Sequence, residues 1–377
     1  MAESGGKLCF VLGNYWGQCM GGAELQAGYL EEEALRQGWQ THYCFLSNGQ
    51  PVAGNPGTEL YPIPQKRLWS RLGNVKYPYA ADLLRALDRI RPDVIYQRAG
   101  FAFTGITASW ARKNGRRLVF HIAHDLDVQR RPPPWRRPFL LPEILLMRQG
   151  IRKADLVVAQ TRFQAEQLQK HYGREAVVIP NGHPVPADSE KPAGPVVVAW
   201  VANWKAIKQP EIFVRLAEEV SSENIRFAMF GRIDNYGELA RRARALGVEV
   251  MGEVSNERVN DSLASSHLLV NTSRHEGFSN TFIQAWLRRV PVVSLQVDPD
   301  EVLSRQGIGC CSGSFGRLAA DVRRLATDRE QLDTMGARAR EYAVANHSLD
   351  NMKRLLLKCG SLLDRSETTD CGPRGKR

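Results

Sequence analysis

Residues 271–295, NTSRHEGFSNTFIQAWLRRVPVVSL, hold the signals that decide the fold. Three small polar residues, Asn271, Thr272 and Ser273, lead to Glu276-Gly277-Phe278-Ser279-Asn280. From there an apolar pattern at helical spacing runs on until Pro291, which cannot continue a helix. The β-branched run 292–295 then reads as a buried strand. The stretch is therefore loop, helix N-terminus, helix and strand, with an acid and a glycine where the helix starts. N–H groups left over at such a start, with the positive end of the dipole, attract phosphate or hydroxyls, and Glu276 offers an acceptor for sugar hydroxyls. An acid at a helix start is equally what ordinary capping looks like, so both readings stand at this point.

Outward from that stretch the same alternation of strand and helix repeats. Residues 7–12, KLCFVL, form a short apolar run before a glycine-containing loop with Gly21 and Gly22, and a helical pattern follows to Gly38. Such a loop lets backbone approach a ligand closely or simply makes a tight turn; the dinucleotide fingerprint G-x-G-x-x-G is absent. Strand patterns recur at 40–46, 94–97, 118–122, 154–159, 177–179, 248–252 and 268–270, with a turn-rich loop over 47–64. Ligands gather beyond the carboxyl ends of strands in open α/β sheets, which favours a site role for His124, while His121, still inside the strand pattern, reads as a packed histidine. Proline-rich 184–195 reads as a linker, after which the alternation restarts at 196–201. Lys205 and Lys208 precede a helix opened by Pro210, where they suit a diphosphate or are merely solvated. Gly231 and Arg232 end a further strand at 225–230 in a turn read as ligand-facing.

Composition narrows the classes. At 377 residues, 43% apolar and 24% charged, the chain has the material for two ordinary globular domains. A net charge of +11 leaves anionic ligands, anionic lipid surfaces and nucleic acid open, but no stacking platform or groove helix supports nucleic acid. Seven cysteines without zinc-like spacing read as reduced thiols, and no stretch has the length of a signal h-region or membrane span, so a cytoplasmic location is expected. Residues 129–142, QRRPPPWRRPFLLP, place Arg130, Arg131, Trp135, Arg136 and Arg137 among prolines. That combination suits an anionic membrane face, at about 1 kcal/mol per basic residue, or a solvated loop packed on its own domain.

Taken in order, Gly21-Gly22-Ala23-Glu24, His124-Asp125, ADLVVAQT at 154–161, Ile179-Pro180-Asn181-Gly182, Lys208, Glu276-Gly277-Phe278-Ser279-Asn280 and Pro291-Val292-Val293-Ser294 resemble the retaining glycosyltransferases of family 4. The resemblance implies an α/β chain of GT-B architecture: two facing Rossmann-like domains with parallel sheets, an interdomain cleft and a C-terminal helix crossing back to the first domain. The implied division is 1–183 for the acceptor domain, 184–195 linker, 196–349 for the donor domain, 350–366 crossover helix and 367–377 disordered basic tail. It implies a nucleoside diphosphate sugar as donor, a glycan or lipid-linked acceptor, no cofactor and no divalent metal, with work at the cytoplasmic membrane face. By the same resemblance Glu276, His124 and Lys208 are catalytic. Gly21, Gly22, Asn203, Lys205, Gly231, Arg232, Gly277, Phe278, Ser279, Asn280 and Gln284 join Lys208 in holding the donor, and the arginines and Trp135 of 130–137 face acceptor or membrane. Two positions depart from the pattern: Gln284 stands where a second glutamate normally holds ribose, and Asn203 where an arginine is expected. Those departures keep a non-catalytic nucleotide-sugar-binding subunit as an alternative, and a nucleotide-sugar epimerase of the same fold is a further one.

Overall fold

A computed structural model describes residues 5–18, 21–70, 75–129 and 138–367. The chain divides into two units, Met1–Gly182 with Leu349–Arg377, and His183–Ser348. The first holds seven strands: β1 Lys7–Val11, β2 Gln40–Ser47, β3 Thr58–Pro64, β4 Val94–Arg98, β5 Arg117–His121, β6 Leu156–Ala159 and β7 Val177–Val178. They run parallel in the order β3-β2-β1-β4-β5-β6-β7. The second unit holds β8 Val196–Val201, β9 Ile225–Phe230, β10 Glu249–Gly252, β11 Leu268–Asn271, β12 Val292–Ser294 and β13 Gly309–Cys311, parallel in the order β10-β9-β8-β11-β12-β13.

Each sheet is covered on both faces, which is why its central strands read as unbroken apolar runs rather than alternating ones. On one face of the first sheet, Leu8, Phe10, Tyr43 and Val119 pack with Ala27 and Leu30 of helix Gly22–Arg36 and with Leu355, Leu356 and Cys359 of helix Asp350–Glu367. The C-terminal helix therefore belongs to the first unit, as the crossover expectation requires. On the other face, Cys9, Ile95, Leu118 and Phe120 meet Leu83, Leu87, Phe103 and Ile151. The second sheet is enclosed likewise, by a cluster around Trp200, Trp204 and Phe213 and one around Phe282, Trp286 and Ile308.

The two strands missing from the sequence reading are both edge strands. β3 lies inside the stretch read as a turn-rich loop, because Pro62 and Pro64 argue against a strand; at an edge the lost N–H groups can face outward at no cost to the ladder. β13 is three residues long and rich in small side chains. Residues 184–195 lie along the second unit: Lys191 Nζ donates to the Leu263 and Ala264 carbonyls, and Asp188 pairs with Arg289 and Arg340. The basic positions Arg130, Arg131, Trp135, Arg136 and Arg137 and the tail beyond 367 fall outside the described residues. Among the described residues no helix is long and apolar enough to cross a membrane.

In the deciding stretch the helix occupies only Asn280–Trp286, with Ser279 as its N-cap. Glu276 and Gly277 thus sit in the loop ahead of the helix, not in its first turn. The helix also stops short of Pro291. Arg289 adopts left-handed backbone (φ 55°), Val290 N–H donates to Ala285 O at 2.9 Å and Arg289 N–H to Trp286 O at 3.0 Å. Those paired bonds are a Schellman closure, with the proline just beyond it.

Candidate functional site

In a doubly wound sheet the strand order reverses at one place, and the loops leaving the two strands there open a crevice beyond the carboxyl ends. In the second unit the reversal falls between β8 and β11. The loop after β8 carries Asn203, Lys205 and Lys208; the loop after β11 carries Glu276 through Ser279. Topology therefore brings Lys208 and Glu276, 68 residues apart, to one spot, where Lys208 Nζ donates to Glu276 Oε1. Glu276 is 9% exposed and the Lys208 side chain 24%, so the pair is sheltered yet the cation is reachable. No other cation pairs with Glu276 among the described residues.

The two loops are laced together. Arg274 N–H donates to Ile207 O at 2.9 Å, and the Thr272 hydroxyl donates to Lys208 O at 2.6 Å. Lys205 points to solvent, and its carbonyl accepts the Lys208 N–H. Asn203 turns inward, where its Oδ1 accepts the Arg232 N–H at 3.1 Å and so joins the loops after β8 and β9. Gly231 is required where it stands: its φ is +122°, and a Cβ there would lie 1.9 Å from Ala202 O. Arg232 places Nε on Asp234 at 2.8 Å.

The segment Gly277-Phe278-Ser279 is buried. Phe278 lies tilted against His347 with centroids 4.7 Å apart and meets Trp286 edge-on at 6.0 Å. Ser279 Oγ pairs with Thr281 Oγ1, and Asn280 Oδ1 lies 3.0 Å from His183 Nε2. Gln284 is 4% exposed, with its amide donating to Asn256 Oδ1 at 2.7 Å. Its amide hydrogens are thus turned toward helix Asn256–Ser265, which leaves its oxygen as the acceptor for any ribose contact.

Burial pulls the His183 pKa down to about 4 from 6.5, with the Asn280 bond pulling upward and the His347 and Arg288 charges pushing further down. A histidine held neutral in the fold stabilises it fully above pH 6.5, and that contribution is lost as pH falls toward 4. At 1.36 kcal/mol per pKa unit the loss reaches about 3 kcal/mol. Urea denaturation at pH 7 and 4.5 is expected to show a steeper acid loss for wild type than for His183→Gln; equal slopes would remove His183 as the cause.

In the first unit Gly21 is the extended N-cap of the 15-residue helix Gly22–Arg36, and a Cβ on it would meet the Glu24 carboxylate at 2.2 Å. Ahead of it, Asn14 Nδ2 donates to Glu24 Oε1 and Trp16 Nε1 to the buried Glu31. His124 is an exposed N-cap whose N–H, with that of Ala123, goes to Asp127 Oδ2. His121 is fully buried, as expected, and burial with the neighbouring Arg98 charge holds its pKa well below the ordinary range. Its Nδ1 sits 2.8 Å from Tyr96 Oη and 3.2 Å from Arg98 Nη1, so the ring takes the tautomer in which Nδ1 accepts. Arg98, 2% exposed, reaches Asn181 Oδ1 at 2.7 Å. Sequence reading passed over Arg98; its signal was an arginine directly after the strand pattern 94–97.

Two family models match the chain: Glycosyltransferase Family 4 over residues 20–185, and Glycosyl transferases group 1 over 195–328. No curated protein matches the sequence. Among solved structures, the chain is similar to sucrose-phosphate synthase of Thermosynechococcus elongatus, at 14% identity and TM-score 0.75 over 97% of this chain and 100% of that one. It is similar to HepE of Anabaena, solved with UDP-glucose, at 18% identity and TM-score 0.72 over 95% and 100%. A third is WaaG, a glycosyltransferase involved in lipopolysaccharide biosynthesis, at 14% identity and TM-score 0.73 over 93% and 98%. At these identities the likeness speaks for the fold, two Rossmann-like units of the GT-B type.

Proposed function

From a chain that belongs to the glycosyltransferases, with a family 4 amino-terminal and a group 1 carboxy-terminal domain, we propose a retaining hexosyltransferase whose second unit binds a nucleoside diphosphate sugar. The observation that carries the reading is the Lys208–Glu276 pair at the switch point of the second sheet. Lysine supplies a point charge for the diphosphate, and a sheltered carboxylate accepts hydrogen bonds from sugar hydroxyls. In the proposed step the bond from the anomeric carbon to the diphosphate oxygen breaks as the acceptor oxygen bonds the same face. The acceptor proton passes to the departing diphosphate, so no enzymatic nucleophile is needed. Lys208 stabilises the charge that builds on the leaving group, where a preorganised cation acts most strongly. Glu276 holds the sugar. The N–H groups of Gly277, Phe278 and Ser279 bind sugar or phosphate, with Asn280 and the oxygen of Gln284 toward the nucleotide. Lys205 adds charge to the diphosphate, while Asn203, Gly231 and Arg232 shape the wall beside it. Gly21 and Gly22 serve the phosphates and His124 the donor sugar from the first unit.

The acceptor is proposed to be a glycan or lipid-linked sugar, met at the cytoplasmic face of a membrane during polysaccharide or glycoconjugate synthesis. Replacing Arg130, Arg131, Arg136 and Arg137 together by Ser is expected to weaken sedimentation with anionic vesicles, since each basic residue adds about 1 kcal/mol at such a surface. Unchanged sedimentation would remove the membrane from the proposal.

HepE was solved with UDP-glucose, which makes that donor the first to try. Purified protein is expected to hydrolyse one member of a nucleotide-sugar panel slowly in the absence of acceptor, with or without a chelator. No binding and no hydrolysis across the panel would sink the reading, and loss of activity with chelator would remove its metal independence. The binding-only alternative draws on Gln284, whose amide is turned toward Asn256, and on Asn203, spent on the Arg232 N–H. Donor binding with no turnover across a broad acceptor set would favour it, and an epimerised donor without acceptor would favour the epimerase.

A further inference from the structure

Lys208 can serve a diphosphate only if its main chain is held, and the Lys208 N–H bond to Lys205 O at 2.8 Å is not all that holds its turn. Gln209, the next residue, adopts left-handed backbone (φ 49°, ψ 58°), and Pro210 follows with no N–H to donate. A residue other than glycine stays in that conformation only when its surroundings over-determine it. Gln209 O accepts the Ile212 N–H at 3.1 Å, and a hydroxyl reaches the turn from the loop after β11. Thr272, fully buried, donates to Lys208 O at 2.6 Å and to Gln209 O at 3.1 Å.

The direction of that hydroxyl is fixed from behind. Trp200, in β8, is 2% exposed, and its indole N–H donates to Thr272 Oγ1 at 2.9 Å. An indole nitrogen only donates, so it occupies a lone pair of the threonine oxygen and leaves the single hydroxyl proton for the two carbonyls. A buried relay thus runs from the strand through Thr272 to the turn. Four residues past Thr272 the same loop presents Glu276 to Lys208 Nζ. One loop therefore carries the carboxylate of the site and, through Thr272, sets where the cation stands.

Resting on the donor-site reading above, we propose that Thr272, oriented by Trp200, is a positioning residue for Lys208 and so tunes turnover without touching the donor. The test is a double-mutant cycle on UDP-glucose hydrolysis. Thr272→Val keeps the shape and deletes the hydroxyl, and is expected to lower kcat about tenfold, the scale of a slightly misplaced catalytic group, with donor KM moving less than about threefold. Thr272→Ser restores the hydroxyl and is expected to recover most of kcat. In a Lys208→Ala background, Thr272→Val is expected to cost nothing further. An equal loss in both backgrounds would make Thr272 a merely structural residue, and an unchanged kcat in Thr272→Val alone would overturn the inference outright. Should Thr272→Val fail to fold, Trp200→Phe removes the orienting N–H instead and is expected to lower kcat only when Lys208 is present. Wild type without hydrolysis of any nucleotide sugar would overturn the donor reading itself, a result distinct from an active wild type indifferent to Thr272.

Discussion

Lys208→Ala is expected to slow transfer by about 10²–10³-fold, the usual consequence of removing one preorganised group from a developing charge. Lysine meets the leaving diphosphate as a charge that water would have to reorganise to supply. The same change is expected to weaken UDP binding at least about tenfold, because a charge-assisted contact to phosphate is lost. It also strands Glu276, 9% exposed, with no other cation paired to it among the described residues. An uncompensated, mostly buried group costs about 1–3 kcal/mol, so the melting temperature is expected to fall by a few degrees. Steady-state kinetics, calorimetry with UDP and a thermal melt check the three parts. Retained turnover in a folded variant would take Lys208 out of the chemistry.

Glu276→Gln separates the two halves of the pair because its effects carry opposite signs. Transfer is expected to fall by about 10²–10³-fold, as the sugar loses the carboxylate that orients it in the transition state. UDP binding, by contrast, is expected to hold or tighten several-fold. Glu276 competes with the diphosphate for Lys208 and repels it, by about 3 kcal/mol for unit charges roughly 5 Å apart at an effective dielectric near 20. With the carboxylate neutralised in place, Lys208 is freed for the nucleotide at little change in shape. Parallel loss of binding and turnover in Glu276→Gln would contradict the division of roles between the two residues.

Much of this is legible in the sequence, and the reason is periodicity. β-branched runs such as 196–201, Pro210 at a helix start and Pro291 beyond a helix end mark the elements by chemistry alone. Edge strand β3 was not, because Pro62 and Pro64 penalise a central strand but not an edge, and a sequence does not say which strands are edges. The Schellman closure at Arg289 was hidden similarly, since nothing about an arginine announces a left-handed residue. In the site, the charged residues stood out by type: Lys208 and Glu276 were named from the residues and the family pattern, and their meeting follows from the strand order. Buried polar groups that act on backbone did not stand out. Thr272 lies in a stretch that reads as loop, Trp200 in one that reads as strand, and Arg98 just beyond a strand pattern. Their roles depend on partners 72, 64 and 83 residues away, a separation at which local pattern carries no information.

The central claim is that the Lys208–Glu276 corner of the second unit is a nucleoside diphosphate site. A calorimetric titration of UDP into wild type and Lys208→Ala tests it most directly. A saturable isotherm for wild type, shifted at least about tenfold weaker in Lys208→Ala, is the predicted result. Identical isotherms for the two proteins would contradict it.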